Sequence, residues 1–176
     1  MNYLKFRIQN YKGIIDQTIS LDSSPKNKIC TLVGLNESGK TTVLEAINDF
    51  AYKVPVELQH NLIPKRNVGG FTGTTTIEAE IQIEPIDKEM IKAFLGNNFN
   101  AIEIADSFKM YRTYTYKDSV PIEPSSQKYT RFIKVKPKSK STLRDLADEQ
   151  LEKTWMFIKE KLLPVVIYYK DFSTKF

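Results

Sequence analysis

Residues 34–41 of the chain read Gly34-Leu35-Asn36-Glu37-Ser38-Gly39-Lys40-Thr41, and this segment is the strongest indication of the fold. It has a glycine, four residues, and then Gly-Lys followed by Ser or Thr, which is the pattern of a phosphate-binding loop, or P-loop. Residues 28–34 form a short apolar run typical of a strand, and residues 41–52 place apolar side chains on one helical face. Because the pattern requires a strand before it and a helix after it, we predict a nucleotide site rather than a chance glycine turn.

Each part of the loop has a chemical reason. Glycines let the backbone curl so that successive N–H groups point at phosphate oxygens, and the following helix adds its positive end. Lys40 is expected to neutralise the β- and γ-phosphates of ATP, and the Thr41 hydroxyl is expected to join the coordination shell of Mg²⁺. The loop residues expected to contact the nucleotide are Asn36, Glu37, Ser38, Gly39, Lys40, Thr41 and Thr42.

Residues 34–47, Gly-Leu-Asn-Glu-Ser-Gly-Lys-Thr-Thr-Val-Leu-Glu-Ala-Ile, resemble the Walker A segment of the SMC-like ATPases, and most of all their OLD (overcoming lysogenization defect) and RecF-like branches. Residues 4–14 resemble the first strand of these families and its Asn-Phe-Arg-Gly turn, whose basic residue approaches the nucleotide. Lys12 occupies that basic position, and Tyr11 replaces the usual phenylalanine. The resemblance implies an α/β fold, a P-loop NTPase lobe of the ABC or SMC-like type in which a mixed sheet is flanked by an antiparallel β-subdomain. It also implies ATP and Mg²⁺ as cofactors and an ATP-dependent homodimer that acts on DNA.

Periodicity predicts the rest of the chain. The segments that read as strands are residues 3–9, 14–21, 74–84, 108–117, 128–135 and 165–169. Residues 85–95 favour a short helix, and Ser141 is predicted to cap a long amphipathic helix that ends near residue 163. We expect a single lobe over residues 1–176, made of a P-loop core (1–53), a β-rich insert (about 74–136) and a final helix and strand (141–170).

A complete ATPase of this type needs an apolar strand that ends in two carboxylates, to hold magnesium and polarise the attacking water. Residues 165–168 are apolar, but Tyr169 and Lys170 stand where the carboxylates should be, so we interpret this segment as a core strand. The sequence also lacks a Leu-Ser-Gly-Gly-type loop and the toprim nuclease domain of the OLD branch. We therefore expect the N-terminal lobe of a longer protein, which binds ATP but needs further sequence for hydrolysis. A naturally short nucleotide-binding module remains the alternative.

The net charge of +5 and the pI near 9.1 permit contact with DNA. A basic stretch without an acidic residue could follow DNA phosphates or could simply protect an edge strand from aggregation. Its members are Lys128, Arg131, Lys134, Lys136, Lys138 and Lys140. The aromatic strand at residues 108–116 is expected to pack in a sheet rather than to stack on bases. His60 and Gln82 are expected to have no special role.

The single cysteine, Cys30, and the absence of a run of about 20 apolar residues lead us to expect a cytoplasmic protein without a membrane segment. The predicted function is ATP and magnesium binding by an SMC-like or OLD-type ATPase that acts in DNA repair or in defence against phage. The parent protein is expected to be an ATPase, with or without a fused nuclease. A small-molecule or nucleoside kinase is the second hypothesis, since it shares the P-loop. A non-catalytic nucleotide-binding module is the third.

Overall fold

The computed structural model of the chain describes residues 1–21, 30–35, 38–67, 70–122 and 125–168. It divides into two compact units. The P-loop unit comprises Lys5–Ala79, Tyr111–Lys128 and Val165–Phe176, and the two-helix unit comprises Met1–Leu4, Glu80–Met110 and Tyr129–Pro164. None of the helices in the described ranges has the length and apolar character needed to cross a membrane.

The described strands belong to two sheets. In chain order they are β1 (Asn2–Tyr11), β2 (Ile14–Ser20), β3 (Gly73–Gln82), β4 (Phe99–Ile104), β5 (Ser107–Lys117), β6 (Val120–Pro121), β7 (Ser126–Tyr129), β8 (Ile133–Pro137) and β9 (Arg144–Asp145). The larger sheet has the order β2-β1-β3-β5-β6, with β7 also paired to β5, and the smaller has the order β4-β8-β9. The helices are α1 (Lys40–Ala51), α2 (Pro85–Leu95) and α3 (Asp148–Lys161), and 3-10 turns cover Val56–Leu62, Lys65–Asn67 and Gly96–Asn98.

The chain opens with the antiparallel hairpin that the alternating pattern predicts. Gln9 pairs with Asp16 and Tyr11 with Ile14 across β1 and β2. Phe6 and Ile8 are buried on one face of β1, while Arg7 between them is exposed, as the two-residue period of a strand requires. The hairpin prediction is confirmed.

Helix α1 follows the glycine loop, as predicted. Its buried side chains are Ala46 and Phe50, and the Phe50 ring meets the Phe6 ring edge-on with 5.5 Å between centroids. Leu44, which the helical pattern places on the apolar face, is instead 44% exposed. The core contact of α1 is therefore made by its second half, and the first turns stay accessible.

The two strands predicted at residues 28–34 and 165–169 are not assigned over the described parts of these segments, residues 30–34 and 165–168; residues 28–29 and 169 lie outside the described residues. Apolar side chains stand at alternate positions in both places: Val33 and Leu35 are 89% and 85% exposed, and Val165 and Ile167 are 77% and 69% exposed. A strand needs a hydrogen-bonded neighbour, so an apolar alternating sequence alone does not produce one.

The two-helix unit corrects two further predictions. The long helix begins at Asp148 rather than at Ser141, because Arg144 and Asp145 pair with β8 as strand β9. The segment predicted as one strand at residues 128–135 is split between β7, which pairs with β5, and β8, which pairs with β4. Helices α2 and α3 of this unit contact each other, with the rings of Phe94 and Phe157 stacked 4.5 Å apart.

Candidate functional site

The geometry of the loop favours glycine at both positions. Gly39 has a φ of 89°, which residues with a Cβ rarely adopt, and it stands at the N-cap of α1. At Gly34 a Cβ atom would lie 2.6 Å from the Ser38 Oγ atom, so a larger residue there would require the Ser38 side chain to move. The glycine spacing that predicted the loop is thus explained by one dihedral angle and one close approach.

The Lys40 ammonium closes the loop. Its Nζ atom donates to the carbonyl oxygens of Gly34 at 2.7 Å and Leu35 at 2.6 Å, and to the Ser38 hydroxyl at 3.2 Å. A cation fixed at this point lies where the backbone turns into the helix. The ammonium therefore places a positive charge where an anion bound at the loop would be attracted.

The first turn of α1 adds to this positive region. It contains no acidic residue, and its hydrogen-bonded ladder starts with the bond from the Val43 N–H to the Gly39 carbonyl at 3.0 Å. The N–H groups of a first helical turn have no partner within the helix and attract anions. Thr41 on this turn is exposed and Thr42 is half-buried, so hydroxyl oxygens flank the same helix end.

A cleft of about 710 Å³ opens in front of the loop. On one side its wall is the glycine loop and the first turn of α1, and on the other it is the β1–β2 hairpin. The described residues that line it are Gly13, Ile14, Ile15, Asp16, Gln17, Ile19, Leu32, Val33, Gly34, Ser38, Gly39, Lys40, Thr42, Val43 and Lys65. This volume falls in the range of small-molecule sites.

The hairpin wall combines apolar and charged groups that the sequence patterns do not single out. Asp16 pairs with Arg7, with 2.6 Å between Oδ2 and Nη2, and also accepts a bond from Gln9. The hydrogen bond from the Arg7 guanidinium holds the pKa of the Asp16 carboxyl below its usual range, so this carboxylate is charged at neutral pH. The only signal in the sequence is that Asp16 and Gln17 follow the hairpin turn.

Lys12 is held beside α1 rather than in the cleft. Its ammonium lies 2.7 Å from the Glu45 carboxylate and 5.3 Å from the centre of the Tyr11 ring, and Lys12 is not one of the described residues that line the cleft. Lys65 does line the cleft, and its N–H donates to the Lys12 carbonyl at 2.9 Å. Sequence reasoning missed Lys65, because its position depends on this backbone contact between residues far apart in the chain.

Behind the site a buried polar network fixes the end of α1. The Tyr11 hydroxyl donates to the Asp49 carboxylate at 2.6 Å, and the Tyr114 hydroxyl donates to the Asp49 carbonyl at 2.8 Å. Burial raises the pKa of Asp49, and burial raises the pKa of Tyr114 to about 12. Arg112 donates twice to the Phe50 carbonyl, each time at 3.2 Å. The aromatic strand β5 therefore packs and anchors a helix, as expected.

The remaining sequence candidates divide into two pairs. Asn36 and Glu37 lie outside the described residues. His60 is exposed in a 3-10 turn, and Gln82 is half-buried at the end of β3 rather than on a fully wet face. Neither is among the described residues that line the cleft.

The basic stretch is divided by its neighbours. Arg131 pairs with Asp148, and Lys134 stands between Glu103 on β4 and Asp145 on β9 in the register of the smaller sheet. The three carboxylates of Asp148, Glu103 and Asp145 thus lie near Arg131 and Lys134 and reduce the net positive charge of this part of the stretch. At the other end of the stretch, Lys138 and Lys140 are exposed and Lys136 is half-buried, and no ion pair of these three is found in the described part of the chain.

A curled glycine loop with a closing lysine, at the N-terminus of a helix and in front of a cleft, defines a P-loop nucleotide-binding protein. The AAA ATPase domain family matches residues 1–175, and the chain belongs to this family of ATP-binding domains. No curated protein matches the chain.

The fold is similar to that of a solved SMC ATPase, which was described for its ATP-driven dimerization and DNA-stimulated activation. The two are 13% identical, the alignment covers 89% of this chain and 78% of that one, and the TM-score is 0.50. This likeness confirms the predicted α/β fold class, an SMC-like P-loop ATPase lobe with antiparallel strands.

Proposed function

We propose that the chain binds ATP with Mg²⁺ through residues Ser38, Gly39, Lys40, Thr41 and Thr42, together with Asn36 and Glu37 of the same loop. The observation that carries this proposal is the Lys40 ammonium, which is bonded to the Gly34 and Leu35 carbonyls and lines the cleft. In this arrangement Lys40 meets the β- and γ-phosphates, and the N–H groups of the first turn of α1 receive their oxygens.

The residues present fit a magnesium ion. Thr41 offers an exposed hydroxyl on the first helical turn, and Mg²⁺ prefers oxygen ligands while keeping several waters and phosphate oxygens in its shell. The ion would neutralise phosphate charge when bound. Thr41 would be its protein ligand, and Lys40 would offset further negative charge of the phosphates.

We further propose that hydrolysis requires a segment that completes the sheet and brings the two missing carboxylates, and that the completed protein forms an ATP-dependent homodimer. Exposed apolar side chains at alternate positions support the first part, because such side chains are typical of strands that are covered in a complete sheet. They are Val33, Leu35, Val165 and Ile167. The dimer is proposed from the resemblance to SMC-like ATPases, as is assignment to the OLD or RecF-like branch. Action on DNA in repair or in defence against phage is proposed on the same basis, with a cytoplasmic location.

A kinase is less well supported. Such an enzyme closes arginines over the transferred phosphate, but Arg112 is buried against the Phe50 carbonyl and Arg131 is paired with Asp148. Both guanidinium groups are already occupied in the structure.

Calorimetry with ATP, with and without Mg²⁺, tests the proposal. We expect binding that Mg²⁺ strengthens and that Lys40→Ala weakens at least about a hundredfold, as expected when a charged contact to phosphate is removed. Unchanged affinity in Lys40→Ala would refute the phosphate-loop assignment. Steady hydrolysis by this chain alone, at a rate typical of complete ATPases, would refute the need for a further segment.

A further inference from the structure

Two consecutive residues at the end of β1 are held by helix α1. The Tyr11 hydroxyl donates to Asp49, and the Lys12 ammonium lies 2.7 Å from the Glu45 carboxylate. Glu45 and Asp49 are one helical turn apart, so they project from the same face of α1. Tyr11 is fully buried, whereas the side chains of Lys12 and Glu45 keep 23% and 24% of their exposure. One contact thus belongs to the core and the other lies at its solvent edge.

The backbone of Lys12 is held in a conformation that lysine rarely adopts. Its φ is 49°, in the left-handed region. Its N–H donates to the Leu62 carbonyl and its carbonyl accepts from the Lys65 N–H, both at 2.9 Å. Backbone strain of this kind persists where surrounding contacts over-determine it, which is common at functional sites. The backbone position of Lys12 is therefore fixed by its two hydrogen bonds and by its place in the hairpin turn, independently of its side chain.

The backbone of Lys12 borders the cleft. Gly13 and Lys65, the neighbours of Lys12 in sequence and in backbone hydrogen bonding, both line the cleft, and Glu45 lies four residues, one helical turn, beyond Thr41 on α1. The Lys12 ammonium is thus held at Glu45, one turn beyond Thr41 and outside the described lining of the cleft.

The ion pair is not needed to join β1 to α1. The buried contact between Tyr11 and Asp49 already joins them, and ion pairs with partial exposure contribute little to folding. A lysine side chain has many rotamers, and immobilising one on a ligand costs binding free energy. The Glu45 carboxylate restricts the rotamers of the Lys12 side chain before a ligand binds, and the centre of the Tyr11 ring also lies close, 5.3 Å from the ammonium.

We propose that Glu45 is a positioning residue, which holds the Lys12 ammonium beside the first turns of α1 so that it meets the phosphates of a bound nucleotide. The inference rests on the proposed function, because it requires phosphates at the glycine loop. Glu45 itself has the wrong charge to touch a phosphate and acts through Lys12.

A double-mutant cycle with Lys12→Met and Glu45→Gln tests this role. The affinities for ATP-Mg and for inorganic triphosphate are measured in about 0.3 M salt, so that long-range attraction is screened. We expect Lys12→Met to weaken both ligands about tenfold or more and Glu45→Gln to weaken both about three- to tenfold. In the double variant Glu45→Gln should cause no further loss, because the lysine it positions is gone.

Glu57→Gln is the matched control, since it removes an exposed carboxylate of the same unit away from the cleft lining, and it should leave both affinities unchanged. Melting temperatures of all variants separate loss of fold from loss of binding, and inorganic triphosphate excludes contacts to the base. Wild-type affinity in Glu45→Gln, or losses that multiply in the double variant, would overturn the positioning role while leaving the proposed function intact. Failure of the wild-type chain to bind ATP would overturn both.

Discussion

The Lys40 ammonium lies 2.7 Å from the carbonyl oxygen of Gly34, the residue that opens the loop. The lysine at one end of the loop therefore fastens the other end, and the curled backbone is held by the cation that we propose to meet the phosphates. A phosphate oxygen has to share this ammonium with the carbonyls of Gly34 and Leu35. Changes at Gly34 should consequently act on the ligand through Lys40 and Ser38.

Gly34→Ala tests this close approach. The added Cβ would lie 2.6 Å from Ser38 Oγ, so the Ser38 hydroxyl must move away from Lys40 or the loop must shift, and we expect ATP affinity to fall at least about tenfold with little change in melting temperature. Gly70→Ala is the matched control, because a Cβ there meets nothing within 4 Å. Equal affinities of the two variants would show that the loop tolerates the methyl group.

Lys65→Ala tests the second lysine of the cleft. Its side chain is exposed and lines the cavity, so removing one positive charge should weaken ATP about fivefold at low salt, and less as salt is raised. Arg66→Ala removes a neighbouring exposed charge that is not among the described lining residues. Calorimetry over a salt series should separate the two, and an equal effect of both would mean that only net charge matters.

Asp49→Asn tests the buried network by its pH dependence. Burial raises the pKa of Asp49 above its unfolded value, so the folded protein holds this proton more tightly than the unfolded chain. The protonated Asp49 side chain stabilises the folded state at pH values below the ordinary aspartate pKa of about 4, and this stabilisation is lost as the pH rises through the raised pKa of Asp49. We expect wild type to lose stability relative to Asp49→Asn over that interval, measured by urea unfolding. A difference that stays constant with pH would contradict the shift.

Charge reversal tests the basic stretch. Lys136, Lys138 and Lys140 have no ion pair in the described part of the chain. Reversing all three charges should therefore make the slope of log affinity for DNA against log salt less negative by about two to three. Reversing Lys134, which stands between two carboxylates, should change the slope less. DNA binding that is the same in both variants would remove this surface from the account.

Local patterns predicted much of the fold. The hairpin, helix α1 and strand β3 were predicted because their periodicity is carried by adjacent residues such as Phe6 and Ile8. The strand predicted at residues 28–34 is not assigned over the described residues 30–34, since strand pairing depends on a partner that periodicity does not see. The start of α3 was missed because Arg144 pairs with Val135 across β8 and β9, a contact that outweighs a helical pattern.

The glycine loop could be predicted because its residues are contiguous and each has a chemical task. Three other residues could not be predicted. Lys65 reaches the cleft through a backbone contact and Asp16 through the register of the hairpin, while Glu45 contacts Lys12 from a face of α1. A site assembled from distant segments is visible only once the chain is folded.

The exposed apolar side chains in residues 30–35 and 164–168 also affect how this chain behaves in the laboratory. Val33, Leu35, Val165 and Ile167 present the kind of apolar surface that promotes association between molecules. Expressed by itself, the chain should therefore self-associate as its concentration rises, and a lysine placed at Val33 or Ile167 should act as a gatekeeper that keeps it monodisperse.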